Sequence, residues 1–480
     1  ASFSSVAYLD TLTFSLPHDR SQSGLNRFEV QIDPNSVLAE TSRTNNVASV
    51  ELSLPVAGAF PLLPAEYSVV STTENGLPTT LLVAQQIDNS NRNYTVEIDT
   101  TARFDSPFKR TQAVAATVLP SWKVTLLNRD STTYYWRIRY ADRPASSDNV
   151  WTESSFTFVK NGGEGWAQRQ PPQFTKAIPL EVNLSVNTQP TWSYKTVSTN
   201  VEAVVAGSSV GAFNEGYKAS QLSINDILLV VEGNCTTFDQ IDNWRPGANL
   251  AVTALHRDNL QAYSVMPSRN CGNPPYVMNT LRQREIVNDK LFSKWVDAVP
   301  EGDWIVLMTL NGIQFDLWPA SERTKLTELG LTEASMARLR SPYLLIVQKG
   351  AKQPAVEVVP DPNDLAPSLR TLTLDNFTLK SNSGKGQITS SLVGPASQWK
   401  TLNYNTEPLT SNQTQARLEV IGVSLNGTEK VLKTGLAMGT VSLQDVDANT
   451  YPYLRLRLQL ANNDARVSTP LQLRNWWINY

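Results

Sequence analysis

The stretch 299-VPEGDWIVLMTLNGIQFDLWP-319 decides how the middle of this chain is organised. A Pro-Glu-Gly-Asp turn leads into a continuous apolar run, and a polar loop with two aromatic residues follows. Apolar runs of this kind between turn signals are typical of strands that are buried on both faces. We therefore predict a buried strand from Trp304 through Leu310. Asp303 would close the turn before it, and Gly312 and Trp318 would shape the loop after it, as scaffold rather than as a catalytic centre.

One helix is predicted before this strand and two shorter helices after it. In 285-EIVNDKLFSKWVDAV-299, apolar residues recur every three or four positions, while lysines such as Lys290 fall on the opposite side. Ser321 offers an N-cap for the next helix, and Gly330 suits the position just past its end. The segment 332-TEASMARLR-340 is the third helix.

Strand-like runs surround these helices at 226-DILLVVEG-233, 250-LAVTALH-256 and 343-YLLIVQKG-350. Strands and helices alternate only in this part of the sequence, and such alternation is typical of a mixed domain. Residues 177–358 are therefore predicted to form one α/β domain.

The remaining sequence has the period-two pattern of β-structure. Residues 58–160 contain six or seven short alternating runs separated by turn formers, which is typical of a β-sandwich. Residues 359–480 return to short strands and are predicted to form a C-terminal β-sandwich. There, 452-PYLRLRLQL-460 alternates so regularly that Arg455 and Arg457 should face water.

Three further segments complete the predicted domain order. Residues 1–57 contain three predicted strands, too few for a complete sandwich, and are interpreted as the end of an incomplete domain. Residues 161–176 and 351–368 are rich in proline and turn formers and are predicted to be linkers. The fold class is therefore multi-domain and mainly β, with sandwiches flanking one mixed α/β domain.

The charge balance and hydropathy exclude several classes of function. The chain has 41 Lys and Arg residues against 44 Asp and Glu residues, so it lacks the basic footprint of a nucleic-acid-binding protein. No apolar run approaches the length needed to span a membrane. Only 18% of residues are charged while Ser, Thr and Asn are abundant, which favours an extracellular or outer cell-surface protein. Because the chain starts without an initiator Met, we expect a processed form or a fragment.

The two cysteines, Cys235 and Cys271, lie in turn-rich stretches. Our main interpretation is a disulfide, which suits an extracellular chain and would stabilise the fold by roughly 3–4 kcal/mol. The alternative is a catalytic thiol paired with His256, although no cysteine-peptidase motif surrounds either residue.

The acidic pairs of the sequence are interpreted as turn residues, with a calcium site as the alternative. These pairs are Asp239/Asp242, Asp361/Asp364 and Asp445/Asp447, and none has EF-hand spacing. No phosphate-binding loop, dinucleotide fingerprint, nucleophile elbow or zinc-peptidase motif occurs. The sequence therefore assigns no catalytic residue, no metal ligand and no cofactor, and we expect that this chain is not itself an enzyme.

Aromatic residues supply the candidate contact sites. Because neighbouring side chains on a strand point to opposite faces, only one of Trp476 and Trp477 can lie in the core. An exposed indole can stack on a sugar ring or anchor a neighbouring domain. We select Trp477 and Trp399 in the C-terminal region, and Asp316 and Trp318 in the loop after the predicted central strand, as candidate ligand or partner contacts.

The middle domain resembles the interleukin-like epithelial–mesenchymal transition inducer (ILEI-type) domain. The resemblance rests on 206-AGSSVGAFNEGYKASQLSINDILLVV-231, on 295-WVDAVPEGDWIVLMTLNG-312 and on the SPYLLIVQKG segment, which come in the family's order. Members of this family often carry paired acidic residues after the central strand, whereas this chain has Asp316 alone. The resemblance therefore transfers a fold expectation and no ligand site.

Two further resemblances concern the flanking regions. The segment 33-DPNSVLAETSRTNNVASVEL-52 resembles the closing strands of a CARDB-type, Ig-like adhesion domain, and YYWRIRYAD at 134–142 is similar to a late strand of fibronectin type III domains. The tail, with 386-GQITSSLVGPASQWKTL-402 and 473-LRNWWINY-480, looks like the sandwich that follows an ILEI-type domain in very large surface proteins of Bacteroidetes.

Several of those surface proteins carry a gingipain-type cysteine peptidase domain upstream and are exported by type IX secretion, as PorU-like sortases are. The resemblance implies a structural region that scaffolds or docks onto other surface or secretion-system proteins. One alternative is a glycan-binding adhesin module. Another is the accessory region of a gingipain-type peptidase whose catalytic domain lies upstream of this chain.

Overall fold

The computed structural model describes residues 24–31, 47–54, 59–71, 78–86, 92–141, 151–185, 190–210, 219–229, 249–265, 278–409, 415–462 and 467–480. Within these residues the chain is mainly β, and its α-helices lie between residues 283 and 338. The predicted fold class, multi-domain and mainly β with sandwiches flanking one mixed α/β unit, is confirmed.

Two of the three strands predicted in residues 1–57 are described. They are β1 (Gly24–Gln31) and β2 (Val47–Leu54), which pair antiparallel along their whole length. The third predicted strand lies outside the described residues.

Residues 59–158 form the first β-sandwich. Its strands are β3 (Ala59–Leu63), β4 (Val69–Val70), β5 (Thr79–Gln86), β6 (Tyr94–Asp99), β7 (Arg110–Val114), β8 (Ser121–Thr125), β9 (Thr132–Tyr140) and β10 (Thr152–Phe158). One sheet has the order β4-β10-β9-β6-β7 and the other β3-β5-β8. Alternate residues of both sheets, such as Trp136 and Leu82, fill the core between them.

Four short strands follow. They are β11 (Gly165–Gln168), β12 (Ile178–Leu180), β13 (Val182–Ser185) and β14 (Thr191–Tyr194), with a 3-10 helix at Pro171–Lys176. Of these, β11 and β12 pair with strands of the C-terminal part of the chain, as described below, whereas β13 and β14 pair with each other.

The α/β unit comes next. Its elements are β15 (Thr196–Ala206), β16 (Gln221–Ile224), β17 (Ile227–Leu229), β18 (Asn249–Leu255), β19 (Ala262–Tyr263), β20 (Asn279–Arg282), α1 (Gln283–Asp289), α2 (Leu291–Ala298), β21 (Trp304–Leu310), α3 (Ala320–Glu328), α4 (Glu333–Arg338), β22 (Leu344–Gln348), β23 (Val356–Val358) and β24 (Thr371–Asn382). The unit has three layers. A central sheet, β19-β18-β21-β22-β23 with β20 beside β18, lies between the helices and a second sheet, β17-β16-β15-β24.

The predicted central strand is confirmed as β21, all of whose residues are buried. Ile305 and Leu307 pack on the helical side, while Val306 and Met308 pack against the second sheet. Because both faces are covered, the strand needs apolar residues at successive positions rather than at alternate ones.

Two details of the predicted helices were wrong. The helix expected over 285–299 is divided into α1 and α2 at Lys290, whose φ of +53° is left-handed. The next helix begins at Ala320 rather than being capped by Ser321, and Glu322 is buried, where it accepts a 2.9 Å hydrogen bond from the Ser293 backbone N–H. Gly330 does follow the end of α3 with a φ of +88°, as predicted.

The C-terminal sandwich is completed by seven strands. They are β25 (Lys385–Thr389), β26 (Thr401–Glu407), β27 (Gln415–Val423), β28 (Glu429–Leu436), β29 (Gly439–Ser442), β30 (Tyr453–Ala461) and β31 (Gln472–Asn479). One sheet has the order β12-β25-β30-β27-β28 and the other β11-β31-β26-β29. In β30, Arg455 and Arg457 lie on the outer side, as predicted, where they pair with Glu429 and Glu419.

The sheet order of the C-terminal sandwich places the domain boundaries differently from the prediction. The segment 161–176, predicted to be a linker, contains β11, and β11 pairs with the last strand of the chain. The sandwich therefore begins with β11 and β12 and resumes at β25. The α/β unit is an insertion after the β13-β14 hairpin that leaves through β15 and returns through β24. The second predicted linker, 351–368, contains β23, which pairs with β22.

Candidate functional site

The two faces of the last strand, β31, lie in different surroundings, one in the core of the C-terminal sandwich and one at its surface. Trp476 points into the core, where its indole N–H donates a 2.6 Å hydrogen bond to Oε1 of the buried Gln168. Trp477 points the other way and is half-buried at the surface. The alternation expected for these adjacent tryptophans is therefore present in the structure.

The neighbours of Trp477 on its own side of β26, β29 and β31 share one property, a short amide or hydroxyl side chain, while Ala167 lies opposite it on β11. They are Thr401, Asn403 and Asn405 on β26, Thr440 on β29, and Asn475 and Asn479 on β31. We call these six residues together with Trp477 the Trp477 face. Asn479 Nδ2 donates to Thr401 Oγ1 at 2.9 Å, and Thr440 donates to Asn403 Oδ1. Such a face offers hydrogen bonds to hydroxyl groups and one indole surface for apolar C–H groups.

Arg169 lies beside this face. Its guanidinium carbon is 5.9 Å from the centre of the Trp477 ring, within the range of a cation–π contact. Its backbone position is fixed because Gln173 Oε1 accepts hydrogen bonds from the N–H of Arg169 at 2.7 Å and of Gln170 at 3.1 Å. The 3-10 helix that follows β11 therefore positions this arginine.

A groove of about 250 Å³ opens next to Arg169. The buried side chains of Phe174, Trp192 and Leu473 contribute its floor. Arg169, Arg474 and Asn475 stand on its polar side. We call this cavity the Arg169 groove. It joins the Trp477 face through Asn475, which belongs to both.

The structure distributes the other predicted contact residues differently. Asp316 is half exposed in the 3-10 helix Phe315–Leu317 and lies 2.5 Å from Nη2 of Arg340. The hydrogen bond from Arg340 holds the pKa of Asp316 below its usual range. The Asp316 carboxylate is therefore already paired with a side chain of the same α/β unit.

Two predicted contact residues are core residues instead. Trp318 is 2% exposed and packs against Phe292, with the ring centres 5.3 Å apart. Trp399 is also 2% exposed, and its indole N–H donates to the Tyr451 carbonyl at 2.9 Å. Both rings are covered by their own domains, so neither is available to a ligand.

The predicted disulfide cannot be placed, because Cys235 and Cys271 lie outside the described residues.

Two of the three acidic pairs are described, and both lie in turns as expected. Asp361 accepts from the Asn363 N–H at 2.8 Å, and Asp447 accepts from the Asn449 N–H at 3.0 Å.

The turn between β18 and β19 holds a polar cluster around Asp303. The Asp303 carboxylate accepts hydrogen bonds from the Arg257 N–H at 3.0 Å and from the Tyr263 hydroxyl at 2.7 Å. Nδ1 of His256 lies 3.6 Å from the same carboxylate. Burial, and then the hydrogen bond to Asp303, raise the pKa of Tyr263. We expected Asp303 only to close a turn. Its carboxylate also holds the backbone at Arg257 and the side chain of Tyr263 in place.

The side chain of Arg257 links the end of β24, in the α/β unit, to the C-terminal sandwich. Its Nε donates to the Asn382 carbonyl at 3.3 Å, and its Nη2 lies 3.5 Å from the Asn462 carbonyl at the end of β30. We call this set of contacts the Arg257 latch. These contacts could not be predicted from the sequence, because both acceptors are main-chain carbonyls far away along the chain.

Within the described residues, no helix is both long and apolar enough to cross a membrane. No family model matches the sequence, and no curated protein matches it either.

The similarity to solved structures is weak, as three examples illustrate. One is a two-domain protein of unknown function from Bacteroides fragilis, 7% identical, with 88% of this chain and 95% of that chain covered and a TM-score of 0.16. Another is described as a carbohydrate-binding module of the β-sandwich superfamily, 7% identical, with 89% and 98% covered and a TM-score of 0.15. The third is an α-L-rhamnosidase from Streptomyces avermitilis, 11% identical, with 84% of this chain and 36% of that chain covered and a TM-score of 0.15.

Proposed function

We propose that this chain is a non-catalytic interaction region of a secreted or cell-surface protein, in which docked β-domains hold binding surfaces at set positions. The observation that carries the proposal is the position of β11. This strand is hydrogen-bonded to the C-terminal sandwich along one edge and to the first sandwich along the other.

The contacts of β11 with the first sandwich are both polar and apolar. The Ala167 N–H donates to the Tyr67 carbonyl at 2.7 Å, and the rings of Tyr67 and Trp166 meet edge-on at 5.9 Å. Gln173, in the helix that follows, donates to Ser155 Oγ on β10 at 3.0 Å. A rotation between the two sandwiches would break these buried hydrogen bonds, which is costly when no water replaces them.

The α/β unit is held to the C-terminal sandwich by two kinds of contact. Its long strands β15 and β24 pair antiparallel and connect directly to β14 and β25. The Arg257 latch adds a second point of attachment. Two connections and a side-chain latch restrict the unit more than a single flexible linker would.

The family resemblance supports a surface context for this scaffold. On that basis we propose export by type IX secretion, with other surface or secretion-system proteins as partners. In the second form of the proposal, the region is the accessory part of a gingipain-type peptidase and orients a catalytic domain upstream.

The surface context is tested by labelling the cells that make the protein. Antibodies raised against this chain should label intact cells as strongly as permeabilised cells. Labelling that requires permeabilisation would contradict an extracellular scaffold. A cytoplasmic protein of the same cells, stained in parallel, controls for leakage.

A second candidate function, glycan recognition, is favoured by the Trp477 face. Amide and hydroxyl groups around one partly exposed indole match the alternating hydroxyl and C–H surface of a sugar ring. The test is retention of the protein in native gels that contain neutral polysaccharides such as xylan and β-glucan. W477A should abolish retention, whereas unchanged migration of the wild-type protein in every gel would contradict recognition of neutral glycans.

A further inference from the structure

We propose that the Arg169 groove binds the carboxylate-bearing sugar of an acidic polysaccharide, so that the ligand class is a uronate-containing glycan. This inference rests on the second candidate function, glycan recognition, and specifies its chemistry. It does not depend on the scaffold role.

Arg169 brings a positive charge to the groove. Within the described part of the chain this guanidinium forms no ion pair, and its side-chain contact is the face of Trp477. The other cation at the groove, Arg474, is already paired with Glu407 at 2.7 Å. Arg169 is therefore the positive charge that the groove offers to a ligand.

The acidic groups near Arg169 have partners of their own. Asp130 is close enough for Arg169 to lower the pKa of its carboxyl group, but its main contact is the Lys160 N–H at 2.7 Å. Glu407 forms an ion pair with Arg474. An incoming carboxylate can therefore bind Arg169 without displacing an existing ion pair.

The stack on Trp477 prepares Arg169 for this role. A guanidinium held within cation–π range of an indole loses less freedom when it forms two parallel hydrogen bonds to a carboxylate. The Gln173 side chain fixes the backbone of the same residue. The arginine is thus positioned before the ligand arrives.

Asn475 supplies the second observation. Its Oδ1 is buried and has no hydrogen-bond partner within the described residues, although it stands at the groove. A buried acceptor without a partner costs free energy, which a donating sugar hydroxyl would recover. Because Asn475 and Arg169 line the same groove, one sugar ring can contact both side chains.

The size and floor of the groove fit a ring rather than a small ion. Its volume of about 250 Å³ far exceeds the space of a single water molecule, about 30 Å³. The partly exposed side chains of Pro171, Leu184 and Pro190 complete this floor and offer apolar contacts to the C–H groups of a pyranose. The neighbouring Trp477 face would carry the next residues of the chain.

The experiment measures binding of the full chain to polymers of galacturonate, mannuronate and glucuronate by affinity electrophoresis and calorimetry. Fully methyl-esterified polygalacturonate is the matched neutral ligand, and dextran sulfate is the matched strong anion. We expect at least one uronate polymer to bind, with affinity falling as salt rises, and the methyl ester to bind at least ten-fold more weakly.

Two variants test the residues. R169Q removes the charge, and N475D places a negative charge beside the site with almost no change in size. Each should weaken uronate binding ten-fold or more. R417Q removes an exposed arginine from the opposite sheet and should leave binding unchanged. Unfolding temperatures close to that of the wild type show that the variants are folded.

Each other outcome overturns the inference. Binding of the ester and the acid with equal affinity, or full binding by R169Q, would refute the carboxylate site while glycan recognition stands. Binding of dextran sulfate alone would assign the groove to sulfated chains. Failure to bind any acidic polymer would refute the inference, and only the additional failure of the neutral polysaccharides would remove glycan recognition as well.

Discussion

Gly384 lies directly against the guanidinium of Arg257. A Cβ placed on this glycine would stand 2.1 Å from Nη2 of Arg257 and 2.3 Å from the Asn462 carbonyl oxygen. The turn between β24 and β25 therefore requires a residue without a side chain, because the Arg257 latch passes through that space. Its φ of +62° adds a second reason for glycine.

This contact predicts that G384A is unusually destabilising. We expect a loss of about 3 kcal/mol or more in the free energy of unfolding, from backbone strain together with displacement of Arg257. The matched control is G427A, since Gly427 also has a positive φ but nothing within 4 Å of its added Cβ. It should cost only about 1 kcal/mol. Equal losses for the two variants in urea unfolding would show that the latch does not fill this space.

The break between α1 and α2 predicts opposite effects for two lysines. K290G should leave stability unchanged or raise it by up to about 1 kcal/mol, because Lys290 adopts a left-handed conformation that suits glycine. K294G, inside α2, should lower it by about 1 kcal/mol. Thermal unfolding of both variants decides the point. If K290G lowers the stability as much as K294G does, Lys290 lies within one continuous helix rather than between α1 and α2.

The ion-pair cluster of the first sandwich predicts a pH dependence. Burial alone would raise the pKa of Glu97, but hydrogen bonds and charge from Lys109 and Arg137 outweigh it and leave the pKa below its usual range. Because the folded pKa is the lower one, the stabilisation is present above about pH 4.3 and is lost as pH falls through the folded pKa.

The test is the variant E97Q, which keeps the shape of Glu97 without its charge. We expect it to be less stable than the wild type by about 1–3 kcal/mol at pH 7. The difference should shrink toward zero as pH falls through the lowered pKa that Glu97 has in the folded protein. Urea unfolding at several pH values measures it. A difference that does not change with pH would contradict the role given to the charge.

Trp399 in the core and Trp477 at the surface should contribute unequally to the free energy of unfolding. W399A should lower the free energy of unfolding by about 3–5 kcal/mol, because Trp399 is buried and packs edge-on against Tyr480. W477A should cost less than half as much, because its ring is half-buried beside Arg169. Chemical denaturation of both variants measures the contrast. Similar losses would place Trp477 in the core.

These cases show how far the sequence could predict the structure. The strand β21 was predictable residue by residue, because burial on both faces demands a continuous apolar run. The sandwiches were predictable as a class from their alternation, and Trp477 could be placed at the surface from its neighbour Trp476. Trp318 and Trp399 were wrong as contact sites, since composition does not tell a buried indole from an exposed one.

The rest depended on contacts between residues far apart in the chain. Prolines and glycines made 161–176 look like a linker, whereas the strand within it is fixed by Tyr67 and by β31, which comes some 300 residues later. Nothing local to Arg257 or Arg169 marks either as special. Their roles come from main-chain carbonyls and an indole that only the folded chain brings near them.

The most direct test of the account is hydrogen exchange at the amides of residues 165–168 in the native protein. If β11 joins the two sandwiches, the N–H groups of this strand should exchange far more slowly than in an unstructured peptide, with protection close to that of β31, its partner. Peptides covering β31 in the same sample give the reference rate. Exchange at unstructured-peptide rates would mean that the segment is a free linker, and the docked scaffold proposed for this chain would be contradicted.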